Sequence, residues 1–381
     1  MMKVFFGARL FDGERMVDDC ALVVEGGAIV AITPVAQRPR EAEGCDLGGG
    51  VLAPGLIDWQ VNGGGGVLFN ETPTVAGIRA IVAAHRTDGT TSLLPTLITD
   101  APQTLEAALA AAAEAQASVP GALGIHVEGP FIDIRRKGAH PLAFIRAMTQ
   151  TDADGLIAAK AGIMVVTLAP AAVSNDLIAR LVRSGIVVSI GHSEASAEEA
   201  QAAFKAGASA VTHLYNAMSQ LGHRQPGLVG AALADPKILC GFIADGHHVH
   251  EAAARAAFNA KGVDGLALIS DAMPPAAGGA KIFYIEGRRV TQVGTKLTLD
   301  DGTLAGAAIT LMDAVRYATA TLGIDLADAL KMATLTPARL LRVDSEIGRL
   351  KPGFRADLVH LADDLSVRGT WVGGEASVSA S

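Results

Sequence analysis

Gly124-Ile125-His126-Val127-Glu128-Gly129-Pro130-Phe131 runs apolar, presents a carboxylate and stops on Gly-Pro. A strand covered on both faces reads as an apolar run, so this is the pattern of a buried parallel strand ending at a site. Glu128 then falls at the carboxyl end, where barrels and open α/β sheets carry their chemistry. Two further strand ends carry histidine, in Gly191-His192-Ser193 and Thr212-His213-Leu214. Glu128, His192 and His213 are therefore candidate ligands of one metal ion. The alternative is a hydrogen-bonded glutamate and two structural histidines.

Outward from this strand, apolar segments alternate with Ala-rich helical stretches from Pro54 onward, which predicts βα units and a parallel sheet. Eight candidate strands span 55–58, 91–95, 121–128, 163–168, 186–190, 208–212, 239–243 and 266–270. Helices are expected between most of them, at 74–87, 102–116, 174–184 and 196–206. Eight such units over about 220 residues suit a closed (β/α)₈ TIM-type barrel. A doubly wound open sheet is the alternative, and it calls for a Gly-rich phosphate loop after the first strand. Asn62-Gly63-Gly64-Gly65-Gly66 is Gly-rich but is neither GxGxxG nor a Walker motif. Residues 1–50 read as short strands and turns, and 281–299 as a hairpin excursion. Helices are expected at 307–321, 325–332 and 336–341, short strands again after 348, and disorder from Glu375. The expected division is a small β-domain from 1–52 plus 345–381, and a barrel over 53–344.

Half of the 381 residues are hydrophobic, enough for a sizeable core. No apolar run approaches the roughly 20 residues of a spanning helix, so no membrane partner is expected. The N-terminal apolar run is too short for a secretory signal. Cys20, Cys45 and Cys240 lie far apart with no CxxC pair, which argues for a reducing cytoplasm and against a cysteine zinc site. A net charge of −8 disfavours nucleic acid. An anionic substrate would need local cations.

Asp271 ends the eighth strand, in Ser270-Asp271-Ala272-Met273-Pro274. It could take a proton from an attacking water and return it to a leaving amine; an N-cap or Asx turn is the alternative. His140, in Lys137-Gly138-Ala139-His140, could polarise a substrate carbonyl or be an exposed loop histidine. Asn216 and the Ala217 backbone follow His213 and can donate to an anion. Arg224 and His248 are the candidate cations, with a solvated surface charge as the alternative for Arg224. His126 shares its strand face with Glu128 and suits an outer-shell role better than ligation.

These motifs, with Ala53-Pro54-Gly55-Leu56-Ile57-Asp58 before them and Ala356-Asp357-Leu358-Val359 after, resemble the amidohydrolase superfamily over nearly the whole chain. Within it they resemble the N-acetylglucosamine-6-phosphate deacetylase family. The resemblance implies a barrel flanked by a small β-sandwich built from both chain ends. It implies hydrolysis of the N-acetyl group of N-acetylglucosamine 6-phosphate to glucosamine 6-phosphate and acetate, with N-acetylgalactosamine 6-phosphate or another N-acyl sugar phosphate as the alternative substrate. It implies one divalent transition metal per subunit on Glu128, His192 and His213: zinc first, with iron, cobalt or manganese as alternatives. Asp271 matches the general base and acid, and His140 the carbonyl-polarising residue. Ala139, Asn216, Ala217, Arg224 and the Asp245-Gly246-His247-His248 run match substrate contacts, and Leu304-Ala305-Gly306 the wall near the acetyl group. A homodimer or homotetramer with a shared phosphate site is implied too. Where many superfamily members carry His-x-His for a second metal, this chain has Gln60 and Asn62, poor ligands that fit an outer shell beside one ion. His247 also departs from relatives, which often have an apolar residue. A catalytically silent scaffold is the rival from another class.

Overall fold

The computed structural model describes residues 2–377. Eight parallel strands form one sheet in sequential order. They are β1 (Leu56–Val61), β2 (Thr90–Ile98), β3 (Gly124–Glu128), β4 (Ile163–Leu168), β5 (Val187–Ile190), β6 (Ala210–Val211), β7 (Leu239–Ile243) and β8 (Leu266–Ile269). The sheet closes just beyond β8. Val61 bridges Ala272, and the Asp271 N–H donates to Gln60 O at 3.1 Å. This is a TIM-type barrel, and the closing seam brings Gln60 and Asp271 side by side.

Local chemistry sets the helix boundaries. Thr74, Ser174 and Ser196 are N-caps whose hydroxyls accept a backbone N–H in the first turn. The helices they start, α1 (Val75–Arg86), Asn175–Arg183 and Ala197–Lys205, lie within the expected spans. The helix expected from residue 307 starts later, at Leu311. Leu304–Ala307 is a strand, and a Thr310–Asp313 capping box sets the helix start. The strand expected at 208–212 shortens to Ala210–Val211, because the chain turns at His213 with φ 33°.

Both chain ends supply the outlying sheets. One contains Met2–Phe6, Cys20–Glu25, Ala28–Pro34 and Glu43–Asp46; the other joins Arg9–Phe11 and Val51–Pro54 to Leu358–Leu361 and Val367–Val372. Phe5, Leu22 and Ile29 pack with Leu10, Leu52 and Leu358 between them, giving a small β-sandwich with its own core. The strand Val51–Pro54 straddles the division expected at residue 52. Disorder from Glu375 is overturned at its start. Glu375–Ala376 pairs with Val372 and Trp371, and the Ser377 N–H donates to Thr370 O. Residues 378–381 lie outside the described residues.

The excursion after β8 is a four-stranded antiparallel sheet, not a single hairpin, running from Ile282–Ile285 to Leu304–Ala307. Ile285, Val290, Leu297 and Leu299 cluster with Ile98, Met273 and Ala305, which lays this sheet over one side of the barrel mouth.

Candidate active site

Three strand ends bend sharply at their functional residue. His192, His213 and Asp271 have φ of 46°, 33° and 48°, a left-handed region that non-glycine residues avoid. Each such residue costs about 1–3 kcal/mol, and such strain clusters at active sites. The bends turn the side chains into the mouth.

There Glu128 Oε1 lies 3.2 Å from His192 Nε2 and 3.1 Å from His213 Nε2, and the two Nε2 atoms are 3.1 Å apart. The outer ring nitrogens decide what this triangle is. His192 Nδ1 faces Arg136 O at 2.8 Å, and His213 Nδ1 faces Asn216 O at 3.2 Å. A carbonyl only accepts, so each Nδ1 carries the proton and each Nε2 presents a lone pair. Three buried lone-pair donors thus converge. Burial opposes ionisation of Glu128, but with no cation in the triangle a further proton on the imidazoles, at Nε2, hydrogen-bonds to the carboxylate and holds it well below the usual range. Burial lowers the pKa of His213, yet the Glu128 contact and charge raise it overall. Positive charge is what the triangle lacks. Its edges are close to the roughly 3.3 Å expected between ligands of a tetrahedral ion with bonds of about 2.0–2.1 Å. The donor set, two imidazoles and one carboxylate, suits a divalent transition metal.

His140 also brings a nitrogen near Glu128 and His192, within 4.8 Å. It is bound differently. Its Nδ1 accepts the Thr99 N–H at 3.3 Å and lies 2.8 Å from Thr99 Oγ1. Nδ1 is therefore the acceptor and Nε2 the donor. Burial, with the nearby His192, lowers its pKa well below the ordinary value and keeps it neutral. A neutral Nε2–H is a hydrogen-bond donor for a carbonyl oxygen, whereas His213 offers a lone pair. The triangle with His213 is the better metal cradle.

Asp271 sits on the opposite side of the same mouth. Gln60 Nε2 donates to Asp271 Oδ1 at 3.2 Å and to Glu128 Oε1 at 3.2 Å, and Asn62 Nδ2 donates to Asp271 Oδ1 at 2.7 Å. Gln60 thus bridges the two carboxylates, and Asn62 adds a second donor to Asp271. Burial, with the Glu128 charge adding to it, pushes Asp271 up to about 6. His126 lies buried below. Its ring nitrogens meet Thr167 Oγ1 at 2.7 Å and Thr96 Oγ1 at 3.3 Å, and not a ligand residue.

A cavity of about 380 Å³ opens above. Glu128, His140, His192, His213 and Asp271 line it, with Asn62, Ala139, Asn216, Ala217, His248, Leu304, Ala305 and Gly306. Ile98, Met273, Ile285 and Ala305 make one wall apolar, while Arg135, Arg136 and His248 add polar nitrogen groups to the lining. Asp245 lies behind His248, with Oδ2 2.7 Å from His248 Nδ1 and Oδ1 accepting the His247 and His248 N–H groups. Four expected residues are not brought to the cavity wall of this chain, Asp245 behind His248 and three others. Arg224 is exposed, Gly246 packs against Tyr317, and His247 reaches outward to Thr295 Oγ1 at 3.1 Å. Arg135 and Arg136 were not singled out from the sequence. Their position just before the Gly138–His140 turn was the available signal. Arg135 pairs with Asp133 at 2.6 Å and Arg136 with Glu194.

Residues 51–376 match the model of the amidohydrolase family. The chain belongs to the amidohydrolase family. One amidohydrolase relative, the N-acetylgalactosamine-6-phosphate deacetylase of Shewanella sp. (strain ANA-3), is 41% identical over 377 residues, covering 98% of this chain and 95% of the relative. The crystal structure of N-acetylglucosamine-6-phosphate deacetylase from Pasteurella multocida is 36% identical, with a TM-score of 0.96 and 99% of each chain covered. A mutant of N-acetyl-D-glucosamine-6-phosphate deacetylase from Mycobacterium smegmatis, in complex with N-acetyl-D-glucosamine-6-phosphate, has a TM-score of 0.91, 30% identity and 99% coverage of both chains. Amidohydrolase membership implies a divalent metal, and the Glu128–His192–His213 cluster could hold one.

Proposed function

We propose that this amidohydrolase hydrolyses the N-acetyl group of N-acetylglucosamine 6-phosphate, giving glucosamine 6-phosphate and acetate. The observation that carries the reading is the pairing, in one cavity, of a three-acceptor metal cradle with a buried carboxylate that binds no cation. The ligands would be Glu128, His192 and His213, holding one divalent transition metal per subunit, with zinc first among the candidates. A divalent ion there supplies Lewis acidity toward the amide carbonyl and the attacking water. Asp271 takes the water's proton at its carboxylate and returns it to the departing amine nitrogen. His140, neutral and protonated at Nε2, donates to the oxygen that gains charge as the carbonyl is attacked.

Support for the substrate's orientation comes from the apolar wall and the polar residues of the cavity. The acetyl methyl fits the apolar wall near Ala305, and the phosphate fits beside His248, Asn216 and the Ala217 backbone. Arg224, exposed in this chain, is assigned to the phosphate of a neighbouring subunit in a homodimer or homotetramer. Asp245 serves by orienting His248, and Gly246 and His247 serve at the rim. The free cysteines are consistent with a cytoplasmic setting, and no helix of the described residues is long and apolar enough to cross a membrane.

A second reading has its own support: the relative at 41% identity acts, by its name, on the galactosamine epimer. Acetate release from both 6-phosphates, with and without a chelator, tests both. The expected result is chelator-sensitive release with the higher kcat/KM on the glucosamine epimer. A higher value on the galactosamine epimer transfers the assignment to it, and no release from either sinks both.

A further inference from the structure

The Asn62–Gly66 run is a bracket rather than a phosphate loop. Its backbone is tied to the loop that follows Asp271. The Gly63 N–H donates to Ala272 O at 2.9 Å, the Gly65 N–H to Ala276 O at 2.8 Å and the Gly66 N–H to Pro274 O at 2.8 Å. Behind it stands His85 of α1, fully buried, with Nε2 2.9 Å from Gly63 O. Because that carbonyl only accepts, Nε2 carries the proton. Burial lowers the His85 pKa, which keeps the ring neutral. Side chains are excluded from this packing. A Cβ on Gly64 would lie 2.5 Å from His85 Nε2, and one on Gly63 would lie 2.2 Å from Val67 O. The bracket therefore fixes the place of the residue at its start, Asn62, whose amide makes the 2.7 Å bond to Asp271 Oδ1.

We infer that Asn62, held from behind by His85 and the glycine run and assisted by Gln60, is a positioning residue for Asp271. The two amides occupy Oδ1, so the other carboxylate oxygen is the one left to exchange the proton. Two hydrogen-bond donors hold this carboxylate without adding charge. Gln60 Oε1 and Asn62 Oδ1, buried and without partners, show that the donor ends are the ones used. This inference rests on Asp271 acting as the base of the proposed reaction.

The test uses the full-length, metal-loaded enzyme and N-acetylglucosamine 6-phosphate. Asn62→Leu keeps the volume without the donor, and Asn62→Ala removes both. Each is expected to lower kcat roughly 10–100-fold, the usual cost of losing a hydrogen-bond partner behind an active group, with KM and bound metal unchanged. His85→Phe is expected to do the same more weakly, and His85→Asn, which keeps a donor, to recover part of the loss. An unchanged kcat in both Asn62 variants overturns the inference. So does a loss of kcat that comes with lost metal, a risen KM or a lowered melting temperature in both, which marks a ligand-site, substrate or purely structural role. These outcomes are read against an active wild type, whereas a wild type releasing no acetate strikes the proposed function instead.

Discussion

The two sides of the barrel mouth solve opposite problems with the same kinds of side chain. On one side Glu128, His192 and His213 point three lone pairs at one spot, and the only amide donor to that group is Gln60, which shares its protons with Asp271. On the other side Asp271 is equally buried, but Gln60 and Asn62 supply donors to it. The first side is complete only with a cation; the second is complete as folded. Both lie at strand ends of one sheet, so the difference comes from which residues stand beside each carboxylate, not from burial. A carboxylate facing two imidazole lone pairs suits a cation, and one facing two amide donors can accept and release a proton of its own.

Breaking the first side should have the largest effect. His213→Ala or His192→Ala is expected to empty the site of metal and take activity to background, and the metal-free protein should melt at a lower temperature than the loaded one. Elemental analysis with a thermal melt checks this. Retention of stoichiometric metal by the His213 variant, with its loss from His140→Ala, would move the cradle to Glu128, His140 and His192. Breaking the second side should spare the metal: Asp271→Asn is expected to lower kcat by roughly 10²–10⁴-fold with metal content intact, and near wild-type turnover would end its role as base. His140→Ala bears on the boundary between the two sides. Loss of one oxyanion donor is expected to cost roughly 10²–10³-fold in kcat with no change in bound metal.

Smaller effects lie beneath and beyond the mouth. Burial pushes His126 down to about 4, against about 6.5 unfolded. The unfolded chain then takes up a proton that the folded one refuses, so this contribution is complete above pH 6.5 and is lost as pH falls toward 4. The loss is on the order of 3 kcal/mol. Urea midpoints measured across that window should fall in the wild type and fall less in His126→Gln; equal slopes would discard the assignment. Farthest from the mouth, Thr149→Ala removes a capping box and should cost about 1 kcal/mol while leaving kcat unchanged, a control for the effects above.

The strand-end residues Glu128, His192, His213 and Asp271 were legible because each closes an apolar run, and an apolar run of that length has few alternatives to a buried strand. Three side chains stayed hidden for a physical reason. Arg135 and Arg136 reach the cavity from a loop whose path depends on packing against Glu194 and the His192 turn. His85 reads as one more polar residue on an amphipathic helix; only the close approach of Gly63 and Gly64 makes it part of the site. The glycine run itself carried a signal, an unusual freedom of backbone, whose use could not be read from composition.

By itself the sequence determined the order of βα units, the approximate helix spans and the residue types at the strand ends. All of these are local properties, set by hydrophobic periodicity and residue type. The tertiary structure alone decided which histidine nitrogen faces inward, that Gln60 and Asn62 give their protons to Asp271, and that Arg224, Gly246 and His247 stay off the cavity wall. Those facts depend on distances between strands that only closure of the barrel sets, and a lone pair or a proton acquires its role from what stands about 3 Å away.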